Sequence, residues 1–229
     1  MLKYLAVIPD GNRRYAKKTG KTTEEAYYTG IQNSTKIIEE AKKLGVTTVS
    51  FWGLSLDNFM KRGSDEIGLL FKLMTKAVSQ ILKKSSKELG LKFKVYGRKD
   101  LLPATLVKAF NELEEYSKNN KDMTVNLFIA YSGRQELTDA MKEIALDVSN
   151  KKLSPEKIDE KLIEKHLYLS QEPDLIIRTG GVDRISGFLT WQNTYSEYYF
   201  SEKLWPEFGS EDLKKAIEYF NSVERRFGK

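Results

Sequence analysis

Apolar residues fall along this chain in two rhythms. Tyr4 to Ile8, Val46 to Trp52, Leu91 to Tyr96, Thr124 to Ala130 and Leu175 to Ile177 are short, mostly apolar runs rich in β-branched and aromatic residues. Such runs predict strands buried on both faces. Between them the spacing lengthens. Ile67, Leu70, Phe71, Met74, Ala77, Val78 and Ile81 form one helical stripe, and Leu213, Ile217 and Phe220 form another near the end. The boundaries carry helix punctuation. Thr22 and Glu25 make a capping-box pattern for a helix running to about Leu44 and stopping at Gly45. Ser64 caps the next helix, with Asp65 and Glu66 in its first turn. Pro103 opens a helix to about Lys118, Ser154-Pro155 a polar surface helix to Leu167, and Ser210 the last helix. Strands alternate with helices throughout, without a linker, repeat or low-complexity block. The prediction is therefore an α/β fold, a single domain over residues 1–229 with a largely parallel central sheet flanked by helices.

Composition narrows the chemistry. A chain of 229 residues can bury one sizeable core. Its net charge of +6 suits anionic ligands, although lysine-rich surfaces also serve solubility alone. The absence of cysteine excludes disulfides and thiolate metal sites and fits a cytoplasmic protein. His166 is the only histidine, so a multi-histidine metal site is excluded. No apolar run is long enough to span a bilayer, and the N-terminus is not a signal peptide. Neither GxxxxGK[ST] nor GxGxxG occurs, and there is no DDxxD pair.

Two places gather residues suited to phosphate. The run Leu175–Ile177 feeds into Arg178-Thr179-Gly180-Gly181, followed by Arg184, Ser186 and Gly187. Two guanidinium groups, a hydroxyl and accessible backbone amides suit a small polyanion such as a diphosphate. An ordinary loop with solvent-facing arginines would carry the same residues. The first strand ends at Pro9, and Asp10-Gly11-Asn12-Arg13-Arg14 follows. An aspartate there sits where ligands bind in open α/β sheets, and magnesium prefers one or two carboxylates plus phosphate oxygens and water. Gly11 and Asn12 tolerate a turn that aims N–H groups at phosphate as the next helix begins. A plain turn before a basic helix is the alternative.

The order R-T-G-G-x-x-R-x-S-x-F-L-x-W-Q, then Y-x-E-x-x-F and L-W-P-x-F, resembles the signature of the cis-prenyltransferases, the undecaprenyl diphosphate synthase family. D-G-N-x-R-[WY]-A resembles its first motif, with Tyr15 where tryptophan is usual. The resemblance implies that Arg178, Arg184 and Ser186, with Ile185 between them, hold isopentenyl diphosphate. Asp10 then carries the essential magnesium carboxylate and Glu197 helps to bind the metal. Gly11, Asn12, Arg13 and Arg14 cradle an allylic prenyl diphosphate. Residues 53–62, read as a loop, resemble F-S-x-E-N-W-x-R-P. Asn58 matches the asparagine of proton removal; Ser55, Leu56 and Asp57 match substrate contacts. Phe59 stands for the tryptophan and Lys61 for the arginine, and the proline is absent. The family's G-H-x-x-G departs further, since Tyr27 replaces the histidine and Thr23 the arginine four positions ahead of it. Arg134, in Y-S-G-R, reads as a structural cation. The tail Arg226-Phe227-Gly228 matches a segment that reaches across a dimer interface, which implies a homodimer.

The function so implied is Mg2+-dependent condensation of isopentenyl diphosphate with an allylic prenyl diphosphate, giving a cis polyprenyl or short-chain prenyl diphosphate. The stripe from Ile67 to Ile81 would line a hydrophobic tunnel for the growing chain. Irregular coupling or an unusual acceptor is the alternative that Thr23 and Tyr27 motivate. A regulatory subunit of a heteromeric synthase is the alternative from another class. The expected location is cytoplasmic, with peripheral membrane contact through the lipid product.

Overall fold

A computed structural model describes residues 1–224, so the expected interface tail Arg226-Phe227-Gly228 lies outside the described residues. Six strands occur among the described residues: β1 (Tyr4–Ile8), β2 (Thr48–Ser55), β3 (Leu91–Tyr96), β4 (Met123–Tyr131), β5 (Leu175–Arg178) and β6 (Glu197–Phe200). They form one sheet of order β3-β4-β2-β1-β5-β6, every neighbouring pair parallel. The helices between them are α1 (Asn12–Thr19), α2 (Thr23–Lys43), α3 (Leu56–Lys61), α4 (Ser64–Ala77), α5 (Lys83–Leu89), α6 (Ala104–Ser117), α7 (Gly133–Ser149), α8 (Glu160–His166) and α9 (Ser210–Ser222).

The central strands are apolar without a gap because side chains on both faces are covered. Leu5, Val7, Leu175 and Ile177 point into a large core with Ile37 and Ile38 of α2, Leu70 of α4, Phe110 of α6 and Leu213 of α9. Ala6, Ile8 and Ile176 point the other way, into a smaller aromatic core with Trp52, Phe128, Tyr131 and Phe188. Trp52 stacks on Phe188 at a centroid distance of 5.0 Å. The expected capping box at Thr22 is present in full: Glu25 N donates to Thr22 Oγ1, and Thr22 N donates to the Glu25 carboxylate.

Local expectations change in several places; Ser64, expected as a cap, is the first residue of α4, with Gly63 at the cap. The stretch read as a loop after the second strand is β2 continued to Ser55 and then the short helix α3. Ser55 caps that helix, accepting a hydrogen bond from Asn58 N at 3.0 Å. The helical stripe does not run on unbroken, because a π-turn at Val78–Leu82 separates α4 from α5. Glu197 to Phe200, not expected as a strand, pairs with β5 as an edge.

Candidate active site

Parallel strands deliver their C-terminal ends to one edge of the sheet, and the loops of that edge build the site. β1 and β5 are neighbours, with Ile8 opposite Arg178. Asp10 and the Arg178 loop therefore meet by register alone. Arg178 NH2 donates to Asp10 Oδ2 at 3.0 Å, and Arg14 NH2 lies 3.3 Å from Asp10 Oδ1. Arg178 NH1 donates to Ser186 Oγ at 2.8 Å and to the Arg184 carbonyl at 2.5 Å. Ser186 adopts φ +52°, a left-handed conformation that costs a non-glycine residue energy and is found preferentially where a site needs it.

Arg14 also donates through NH1 to the Gly180 carbonyl at 2.5 Å, tying the first loop to the fifth. Gly180 is required there. Its φ is +91°, and a Cβ would come within 2.4 Å of Arg14 NH2. On α2, a Cβ on Gly30 would strike Asn12 Oδ1 at 2.3 Å and the Trp205 ring at 3.1 Å. Trp205 is buried. Its backbone N donates to the Asp10 carbonyl at 2.9 Å and its indole Nε1 to the Gly30 carbonyl at 2.8 Å. The L-W-P segment thus backs the loop that carries Asp10.

Beneath these groups lies a cavity of about 690 Å³. Asp10, Gly11, Asn12, Arg13 and Arg14 line it from one side, and Arg178, Arg184 and Ser186 from another. Tyr27, Ser55, Asp57, Asn58 and Lys61 line it from α2 and the β2–α3 turn. The rest of its wall is apolar, including Ile38, Met74, Val78, Leu82, Phe93 and Phe110. Polar mouth and oily interior are the two environments that a diphosphate ester of a hydrocarbon needs.

Other predicted residues stand behind the wall or away from it. Leu56 and Phe59 pack on the large core, Phe59 with its ring 6.1 Å from that of Phe71. Ile185 packs on the smaller core. Tyr15 lies under Lys21, with Nζ 5.4 Å from the ring centroid. Thr23 is the first residue of α2. Among the described residues no hydrogen bond or ion pair joins Glu197 to Asp10. Glu197 opens β6 opposite Leu175, three residues, or about 10 Å of strand, before the level of Arg178. The parallel register sets its backbone toward the amino end of the sheet.

Lys61 and Arg62 both line the cavity but differ in their surroundings. The Lys61 side chain is 78% exposed and its partner is Asp57 on the next turn at 3.8 Å. The arginine one residue later is the cation set into the wall. Arg62 NH1 donates to the Tyr27 hydroxyl at 3.0 Å and lies 3.3 Å from Glu66 Oε1. Tyr27 donates in turn to Glu66 Oε1 at 2.7 Å. Burial, helped by the hydrogen bond to Glu66, pushes the Tyr27 hydroxyl up to about 12. Sequence reasoning passed over Arg62 and Glu66; the signal available was Arg62 standing where the motif has its proline.

The donor set fits magnesium in one way. Among the described residues no three His, Cys, Asp or Glu side chains come together to hold a metal. Asp10 offers one carboxylate, its side chain about a third exposed, between two arginines. That is the arrangement for a cation shared with phosphate oxygens and water. The guanidinium Nε atoms of Arg62 and Arg178 are buried without a hydrogen-bond partner among the described residues. Buried donors of that kind call for a ligand.

The comparisons agree with this geometry. The family model described as putative undecaprenyl diphosphate synthase matches residues 8–228. A tritrans,polycis-undecaprenyl-diphosphate synthase (geranylgeranyl-diphosphate specific) of Methanocaldococcus jannaschii is 39% identical over 99% of this chain and 82% of its own length. An isoprenyl transferase of Thermus thermophilus is 36% identical over the whole chain and 89% of its own length. Among solved structures, lavandulyl diphosphate synthase from Lavandula x intermedia, in complex with dimethylallyl diphosphate, superposes with a TM-score of 0.96. It is 35% identical, covering all of this chain and 98% of that one. No helix of the described residues is long and apolar enough to cross a membrane.

Proposed function

Because the chain belongs to the undecaprenyl diphosphate synthase family, we propose that it condenses isopentenyl diphosphate with an allylic prenyl diphosphate to give a cis prenyl diphosphate. The observation that carries the reading is Asp10, held between Arg14 of one phosphate-binding loop and Arg178 of the other at the mouth of an apolar cavity. Two diphosphates can lie side by side there, one on each arginine.

The barrier lies in separating the allylic diphosphate from its carbon. Backbone N–H groups at the start of α1 together with Arg13, Arg14 and Arg62 meet the charge that develops on the leaving group. Magnesium, held by Asp10, would neutralise diphosphate oxygens. Arg178, Arg184 and Ser186 orient isopentenyl diphosphate so that its double bond faces the cation, which makes the attack effectively intramolecular. A proton is then lost from the new cation. Asn58, on α3 at the cavity wall, organises that loss by bridging to diphosphate, since an amide is itself a poor base. Apolar walls exclude water that would quench the cation, and Val78, Leu82, Phe93 and Phe110 bound the space for the growing chain. A homodimer completed by the tail, and contact with a membrane through the product, belong to the same reading.

Irregular coupling is the second reading. Tyr27 and Thr23 in place of the family's histidine and arginine favour it, as does the 0.96 likeness to a lavandulyl diphosphate synthase. Purified protein incubated with labelled isopentenyl diphosphate, magnesium and a panel of allylic diphosphates separates the two. A ladder of products supports elongation, and one branched product supports irregular coupling. Absence of any turnover, with stimulation of a second protein, would leave only the regulatory subunit.

A further inference from the structure

The departures at Tyr27 and Thr23 remove two groups from the allylic side of the cavity, and the structure puts something else there. Glu66, in the first turn of α4, is approached by three donors. Tyr27 OH lies 2.7 Å from Oε1, Arg62 NH1 3.3 Å from Oε1, and Arg13 NH1 3.7 Å from Oε2. Arg62 also donates to the Tyr27 hydroxyl, closing a triangle. Tyr27, Arg62 and Arg13 line the cavity, whereas Glu66 stands behind them.

Resting on the reading above, we propose that Glu66 is a positioning residue for the allylic diphosphate. With Tyr27 it holds Arg62 as the cation of that subsite, in the role left open by Thr23 and Tyr27. The Tyr27 proton is committed to Glu66, so its hydroxyl has none to give a phosphate oxygen. What Tyr27 contributes is a fixed acceptor for Arg62. The Arg62 side chain is 17% exposed and its Nε is buried without a partner among the described residues. A guanidinium so withdrawn from water stays withdrawn only while a carboxylate compensates it. Without the charge on Glu66, Arg62 swings to solvent and the subsite loses its aim. Among the described residues no hydrogen bond or ion pair joins the isopentenyl side, built on Arg178 and Arg184, to the triangle, and that side is unaffected.

The test is Glu66→Gln in the full-length protein, which keeps the shape and removes the charge. Two quantities are read: the separate KM values for allylic and isopentenyl diphosphates, and calorimetric binding of a non-ionisable thiolo analogue of dimethylallyl diphosphate. The allylic KM and the analogue's Kd should rise roughly tenfold, the scale of a lost charge-assisted hydrogen bond, with isopentenyl KM unchanged. Glu66→Asp should recover part of the loss, and Tyr27→Phe should shift the same values in the same direction by less. In an Arg62→Ala background the Glu66→Gln change should have no further effect. Tighter allylic binding in Glu66→Gln would mean that the carboxylate merely competes with phosphate and would overturn the proposal. Equal losses for both substrates, or an undiminished effect without Arg62, would overturn it too. A wild-type protein that bound neither diphosphate would instead sink the proposed function itself.

Discussion

The two sides of the cavity mouth hold their arginines by different means. On the β5 side, Arg178 is 6% exposed, ends a central strand and is fixed by an aspartate, a serine hydroxyl and a backbone carbonyl. Its position follows from strand register. On the α2–α4 side, Arg62 sits on a turn between two helices and is fixed by side chains alone, and Arg13 beside it is 64% exposed. Backbone-held cations tolerate little sequence change, whereas a cation held by side chains can be re-created from different residues. The difference explains how the family's histidine can become Tyr27 while the Arg178 loop keeps its form.

The largest expected effect strikes the group both sides share. Asp10→Ala should lower turnover on the order of a thousandfold, the scale at which a preorganised charge is lost. It also releases Arg14 and Arg178, so calorimetric binding of inorganic pyrophosphate without magnesium should persist or tighten. If turnover survives the substitution, neither the metal assignment nor the pairing of the two sides stands.

What the sequence reveals follows the same division. Five of the six strands, the capping box and the Asp10–Arg178 encounter are legible because continuous apolar runs, a local hydrogen-bond pattern and a parallel register each act over short, regular spacings. The Arg62–Tyr27–Glu66 triangle is not. It joins residues 35 and 39 positions apart across three elements, through a turn whose motif lacks its proline. Glu197 is a related case: a motif fixes its neighbours in sequence, while the sheet decides that it opens β6 opposite Leu175.

A smaller change on the firm side is Arg178→Lys. A lysine keeps the charge but reaches Asp10, Ser186 and diphosphate as a single point, not a planar fork. The expected loss in kcat/KM for isopentenyl diphosphate is roughly hundredfold, with the allylic KM little changed. Equal losses for both substrates would show that the two sides are not separable.

The firm side also rests on a buried acid. Glu136 of α7 is 1% exposed and accepts from Tyr131 OH at 2.6 Å, Tyr168 N at 2.8 Å and Gln192 Nε2 at 3.2 Å. Burial raises its pKa above the ordinary 4.5 despite those donors. The folded state thus holds the proton to higher pH than the unfolded chain. Stability from this group is full below the ordinary value and is lost as pH rises through the raised one. The Tm of wild type relative to Glu136→Gln should therefore fall as pH climbs from 4.5. A difference that grows with pH would mean that the donors keep the carboxylate ionised.

The smallest effect is the most pointed, because it decides which of two adjacent cations belongs to the looser side. Lys61 and Arg62 both line the cavity, and the motif spacing favours Lys61. Their surroundings differ. Lys61 is 78% exposed and pairs with Asp57, itself 81% exposed, an ion pair of the kind that contributes little. Arg62 is 17% exposed and engaged by two groups. A lysine free to move in water must be ordered before it can hold a phosphate, and that cost offsets most of what the contact provides. Lys61→Ala should therefore change the allylic KM by no more than about twofold, and raising the salt concentration should erase even that. Arg62→Ala measured beside it should lose more than tenfold and keep that loss at high salt. If the two substitutions changed places in this ranking, the cation of the α2–α4 side would be the exposed one, and the triangle behind it would be packing without a part in binding.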